Sequence, residues 1–249
     1  EDIEALLATN GLSDLLVEKT ATIGEKLSVR RFAKVTGDAV ASYIHGGGRI
    51  GVLVAGNGAS DDAAKEALTN IAMQIAAMNP QYISRDEISA DELAKMKEIT
   101  IDSALNDPFS LPKPVLSKLI EKAVAGVWSA EDVAIYEEKK SNMNFLPNFL
   151  SKEAKAQLAE IACADKEEIS GNKIFSGLVE GRISKQMKEI CLLDQGYVKA
   201  EDGKQTVAAY LKSVNPALKI AKFVRFEVGE GMEKKNEDFA AEVAKQMNV

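Results

Sequence analysis

Val40-Ala41-Ser42-Tyr43-Ile44-His45-Gly46-Gly47-Gly48-Arg49-Ile50-Gly51-Val52-Leu53-Val54-Ala55 decides the fold, because its middle admits two incompatible readings. Gly46 to Gly51 match the G-x-G-x-x-G dinucleotide fingerprint letter for letter. A phosphate-binding turn must follow a strand and open a helix, whose N-terminal N–H groups take the pyrophosphate. Here the glycines lead into a strand, Ile50 to Ala55, and three in a row supply the positive φ of a hairpin turn. The stretch therefore reads as two strands joined by a tight turn. Apolar residues on both faces of the second strand (Ile50, Val52, Val54; Leu53, Ala55) place it centrally in a sheet covered on both sides.

On the N-terminal side, Thr36-Gly37-Asp38 is turn chemistry, and Leu27, Val29, Arg31, Ala33 and Val35 alternate with Ser28, Arg30, Phe32 and Lys34 at a strand period. A helical stretch from Glu1 to about Lys19 precedes them. On the C-terminal side, Gly56-Asn57-Gly58 does run from strand to helix, but the third glycine is replaced by Asp61, and Asp61 with Asp62 would repel a phosphate. A loop and helix cap is the better account, with Ser60 as the expected N-cap. Ala64, Leu68, Ile71, Ile75 and Met78 form one helix face, which Asn79-Pro80 ends.

Ser84 to Glu87 and Ser89 to Glu92 both read as capping boxes, and from there to about Gly177 the pattern is helical with turn breaks. Phe175, Leu178, Val179, Ile183, Met187 and Ile190 make a second amphipathic face. Val224, Phe226 and Val228 restore a strand before Gly229-Glu230-Gly231, and a last helix is expected over Asn236 to Met247. The fold class is α+β: a sheet core interrupted by a helical insertion, an antiparallel arm that leaves the sheet and returns.

The inventory of reactive side chains is short. Among 249 residues there are one His, His45, and two Cys, Cys163 and Cys191. Four Cys or His ligands for zinc cannot be assembled, no Ser or Cys nucleophile motif accompanies the imidazole, and no Gly-Lys-Ser/Thr phosphate loop occurs. Neither a catalytic nor a metal-binding residue is expected, and no cofactor. The two cysteines, in apolar helical surroundings, read as small core residues in a reducing cytoplasm. A formal charge of −7 offers nucleic acid or an anionic membrane no general attraction and favours a protein partner. No apolar run nears the roughly 18 residues that span a bilayer. These features point to a protein-binding or regulatory role.

Several strings stand in an informative order: Gly48 to Val54, Ile71 to Pro80, Glu180-Gly181-Arg182, Phe223 to Gly231, and Asp238 to Val243. Together they closely resemble the elongation factor Ts family, the guanine-nucleotide exchange factors of elongation factor Tu. The resemblance covers roughly residues 19 to 105 and 173 to 247. It implies an antiparallel-sheet core of that family's type with a long inserted, coiled-coil-like helical arm and a C-terminal helix. It implies a core subdomain remnant over 1–38, a C-terminal core subdomain over 39–83 and 191–231, an insertion or dimerisation arm over 84–190, and a helical module over 232–249. It also implies binding to elongation factor Tu and release of the GDP that the partner, not this chain, holds.

The family's Ile-Gly contact pair, set before its Arg-Arg strand, matches Ile23-Gly24, since Arg30-Arg31 follow at the same spacing. Its Tyr-x-His-Gly segment, whose His packs near the phosphate end of the partner's nucleotide site, matches Tyr43-Ile44-His45-Gly46. Its C-terminal helix matches Asp238 to Gln246, with Asp238, Phe239, Ala240 and Val243 as contacts. Two features depart from the family. Its Thr-Asp-Phe-Val element and preceding three-helix module have no counterpart here, so the start at Glu1 reads as the edge of a fragment, expected to bind the partner and to exchange nucleotide poorly. The segment from Asn106 to Asn172 is longer than the family's hairpin, and its Phe109, Trp128, Phe145, Leu146, Phe149 and Leu150 ask for burial within the insertion or across a homodimer. The competing readings are a helical-arm interaction scaffold without exchange activity and a dinucleotide-binding enzyme using Gly46 to Gly51.

Overall fold

The computed structural model describes residues 2–201 and 203–232. In chain order the elements are α1 (Ile3–Leu7), α2 (Leu12–Ile23), β1 (Ala39–His45), β2 (Ile50–Asn57), α3 (Asp62–Met78), α4 (Ala90–Asn106), α5 (Lys113–Val124), α6 (Ala130–Lys139), α7 (Lys152–Ala164), α8 (Lys166–Ser170), α9 (Lys173–Ile190), α10 (Val207–Val214) and β3 (Lys219–Glu227). They form two compact units, one drawn from both ends of the chain, up to Asn79 and from Gly196, and one from Pro80–Gln195.

The first unit is built on an antiparallel sheet of order β1-β2-β3, with β2 central as its apolar run demands. Gly46, Gly47 and Gly48 all take positive φ in the β1–β2 turn, and Gly48 and Arg49 N–H both donate to the His45 carbonyl (3.3 and 3.0 Å). These glycines thus close a hairpin and open no helix. α3 covers one face, burying Ala64, Ala67, Leu68, Ile71, Ala72 and Ile75 against Val52 and Val54, while α10 adds Val207 and Leu211 to the same core.

The loop into α3 is closed by the protein itself. Gly58 sits at φ +92°, where a Cβ would lie 2.1 Å from the Ala217 carbonyl oxygen. Its N–H donates to Asp38 Oδ2 (2.8 Å), and Asp61, not Ser60, caps the helix by accepting from Ala64 N–H (2.8 Å). A carboxylate accepts more strongly at this positive helix end than a hydroxyl one residue earlier. Buried Gln74 donates to the Gly196 carbonyl and accepts from Val198 N–H (3.0 and 2.8 Å), tying the returning chain to α3.

Four expectations need correction here. The opening helix is split into α1 and α2 because Asn10 and Gly11 take positive φ. The alternating run Leu27–Val35 forms no strand: residues 26–36 carry no regular element, and among the described residues no backbone ladder pairs with them. Alternation specifies a face but cannot supply the neighbouring strand that makes the hydrogen bonds. Met78 is half exposed at the last turn of α3, although the helical period places it on the buried face. Ser84 caps only a short 3-10 turn without a side-chain bond, whereas Ser89 and Glu92 form a complete capping box on α4.

The second unit is a bundle of short helices with its own core, in which Leu105, Leu116, Ile120, Leu146, Leu158, Phe175 and Val179 are buried together. α4 packs on α7 and α9, and α5 on α7. Its entry and exit segments are stitched by Gln81 and Tyr82 N–H to the Ile190 carbonyl and by Leu192 N–H to the Tyr82 carbonyl (2.8, 3.1 and 2.9 Å). Trp128, Leu146 and Leu150 find burial inside this unit, and the Trp128 indole donates to the Ala154 carbonyl (2.9 Å). Phe145 and Phe149 do not, at 58% and 51% exposed. Cys191 is buried, which pushes its thiol pKa up, but Cys163 is exposed on α7, so only one cysteine is a core residue.

Asp132, buried on α6, joins two helix starts: its carboxylate accepts from Ser129 Oγ, Ser151 N–H and Ser151 Oγ (2.7, 2.9 and 2.9 Å). Burial alone would raise its pKa, but these three donors outweigh that and hold it below the ordinary 3.8. A depressed folded-state pKa adds stability that is present above the unfolded value and lost as pH falls through the folded one. Asp132→Asn is therefore expected to cost about 2 kcal/mol at pH 7, since an amide cannot accept all three bonds. The deficit should shrink below pH 4, in urea titrations at both pH values; equal deficits would contradict the account.

Candidate functional site

Tyr43 and His45 lie two residues apart on β1 and so share a face at the hairpin end of the strand. Their side chains touch: Tyr43 Oη and His45 Nδ1 are 2.9 Å apart and hydrogen-bonded, with ring centroids 5.8 Å apart. The bond fixes the imidazole plane and leaves Nε2 as the ring nitrogen available to another molecule. Gly46 follows in the turn at φ +60°. Tyr43, His45 and Gly46 thus form one local site, with His45 exposed and the turn holding its backbone.

Ile23 and Gly24 belong to a different element. Ile23 ends α2 with its side chain largely exposed, and Gly24 caps that helix at φ +79°, its N–H donating to the Thr20 carbonyl (2.9 Å). Neither shares a hydrogen bond or ring contact with the Tyr43–His45 pair. Arg30 and Arg31 clamp the turn beyond β3 instead. Arg30 donates to the Glu230 carbonyl (2.6 Å), and Arg31 pairs with the Glu230 carboxylate (3.1 Å) while stacking 4.5 Å above the Phe226 ring. The Arg31 guanidinium holds the Glu230 carboxyl below its usual range. Asp238, Phe239, Ala240 and Val243 lie outside the described residues.

The sheet register brings two further side chains into this neighbourhood. Tyr43 pairs with Val52 and Val52 with Arg225; His45 pairs with Ile50 and Ile50 with Glu227. Paired residues share a face, so Arg225 and Glu227 stand on the Tyr43–His45 side. The Arg225 side chain, only 11% exposed, binds Glu227 Oε2 through Nη1 (2.8 Å) and reaches the Ala76 carbonyl in the last turn of α3 through Nη2 (3.4 Å), with Nε buried and unpartnered. A guanidinium at the negative end of a helix dipole is well placed electrostatically. The alternation of Phe223–Val228 puts Arg225 and Glu227 on one face in sequence, but only the β2–β3 register shows which face.

Among the described residues no group of three or more His, Cys, Asp or Glu is gathered as a metal site, and no helix is long and apolar enough to cross a membrane. A family model described as "Elongation factor TS" matches residues 1–230, which takes in the hairpin, the Tyr43–His45 pair and the Glu230 turn. The chain belongs to the elongation factor Ts family. It is 38% identical, over 256 residues, to elongation factor Ts of Clostridioides difficile (strain 630), an alignment covering 99% of this chain and 64% of that relative. The chain thus spans less than two thirds of the length of that elongation factor Ts. The hairpin glycines join β1 to β2, and the dinucleotide-enzyme reading has no strand-to-helix turn at Gly46–Gly51 to rest on.

Proposed function

We propose that the chain acts in translation elongation as a guanine-nucleotide exchange factor: it binds elongation factor Tu carrying GDP and promotes release of that GDP. The family match across residues 1–230 carries this reading. The exposed His45, hydrogen-bonded to the half-buried Tyr43 at the hairpin end of β1, supports it as a contact surface. Exchange needs differential binding. If the chain holds the nucleotide-free partner more tightly than the GDP form, linkage lowers GDP affinity by the same factor, with no covalent step and no cofactor of its own. The nucleotide belongs to the partner, the site of action is the cytoplasm, and the acidic surface suits a protein partner over nucleic acid or membrane.

The test is release of a fluorescent GDP analogue from elongation factor Tu, followed by stopped flow beside direct titration of binding. The chain should bind, and should accelerate release weakly because its sequence carries no Thr-Asp-Phe-Val element. His45→Ala, which removes an exposed side chain, should weaken binding about tenfold, roughly 1.4 kcal/mol, with no loss of fold. No binding by the unaltered chain at tens of micromolar would refute the reading.

A further inference from the structure

The cross-strand rows place Glu227 one strand beyond Ile50 from His45, roughly 10 Å away across two strand spacings and on the same face. Three things distinguish Glu227 from an ordinary solvated carboxylate. Its side chain is 47% exposed, so it presents oxygen to the outside. One of its oxygens is held by Arg225, which fixes where the other points. Arg225 is itself anchored under the sheet edge by the Ala76 carbonyl, and its buried Nε lacks a partner, a cost retained at this one arginine among the described residues. An ionised carboxylate only accepts, so what it takes from outside must be a hydrogen-bond donor or a cation.

Resting on the proposed exchange function, we propose that Glu227 is a further contact of the His45 surface, receiving a donor or cationic side chain of elongation factor Tu, with Arg225 as the positioning residue that aims it. The contact continues the face that carries Tyr43 and His45, so one partner surface laid along the hairpin end meets all three. Ile50 between them gives that surface an apolar centre with polar groups on either side.

The experiment titrates elongation factor Tu with the unaltered chain and with His45→Ala, Glu227→Gln, Glu227→Asp, Arg225→Lys and Arg225→Lys/Glu227→Gln, at several salt concentrations, each variant checked by thermal melting. Glu227→Gln should weaken binding about fivefold and flatten its salt dependence, because a charged contact has gone. Glu227→Asp should keep the salt dependence. Arg225→Lys should weaken binding alone but add little in the Glu227→Gln background, the non-additivity expected of a residue acting through its neighbour. If the unaltered chain fails to bind, the exchange reading falls. If it binds, and His45→Ala weakens it, while Glu227→Gln changes neither affinity nor salt slope, this inference is overturned and the exchange reading stands.

Discussion

Phe175→Ala is expected to cost about 4 kcal/mol of stability in the helical unit, one of the two largest effects in the molecule. Phe175 is 1% exposed in the core shared by α4, α5, α7 and α9. It opens α9, where Asn172 caps the helix by accepting from the Ile174 and Phe175 N–H groups (2.9 and 3.4 Å). The cap fixes the backbone, so the ring's volume cannot be recovered by sliding the helix start inward, and a cavity remains. Lost transfer energy and lost contacts then add. The single tryptophan of the chain, Trp128, lies in that same unit, buried with its indole bonded to Ala154. Its fluorescence in urea reports this unit, and with a slope of about 2 kcal/mol/M the midpoint should fall by roughly 2 M. A shift under a quarter of that would mean that the core relaxes around the missing ring.

The features legible in the sequence are those set by neighbours along the chain. Three glycines after an apolar strand made the hairpin readable, 4-3-4-3 spacing gave the α3 face from Ala64 to Ile75, and Ser89 with Glu92 marked a helix start that the capping box bears out. What escaped depends on partners distant in sequence. Leu27–Val35 has strand alternation and no strand beside it, so periodicity overstated it. Met78 has the right phase but sits where the helix runs out. At the candidate site, Tyr43 and His45 could be singled out by motif and their contact follows from i, i+2 geometry. Arg225 and Glu227 could not, because a register shifted by one residue would have turned both to the Phe226 face. Gln74 was equally hidden: a glutamine inside an apolar helix face bonds to Gly196 and Val198, over a hundred residues away.

The second large effect separates backbone conformation from close approach. Gly58→Ala should cost 3 kcal/mol or more, on the order of a strained φ plus an overpacked contact. The φ of +92° is one that an L-residue rarely holds, and the added methyl would stand 2.1 Å from the Ala217 carbonyl oxygen, a backbone atom that cannot swing aside as a side-chain tip can. Relief requires β2's exit and the Asn215–Leu218 turn to part, which would also pull the Gly58 N–H off Asp38. Gly47→Ala is the control: its φ of +65° is also left-handed, but nothing lies within 4 Å of a Cβ there, so only the conformational cost of about 1–2 kcal/mol applies. Hydrogen exchange at the Leu53 and Val54 amides, in the central strand, measures both. If the two variants accelerate exchange equally, the Ala217 contact is not what keeps position 58 a glycine, and the loop from β2 into α3 owes its shape to φ alone.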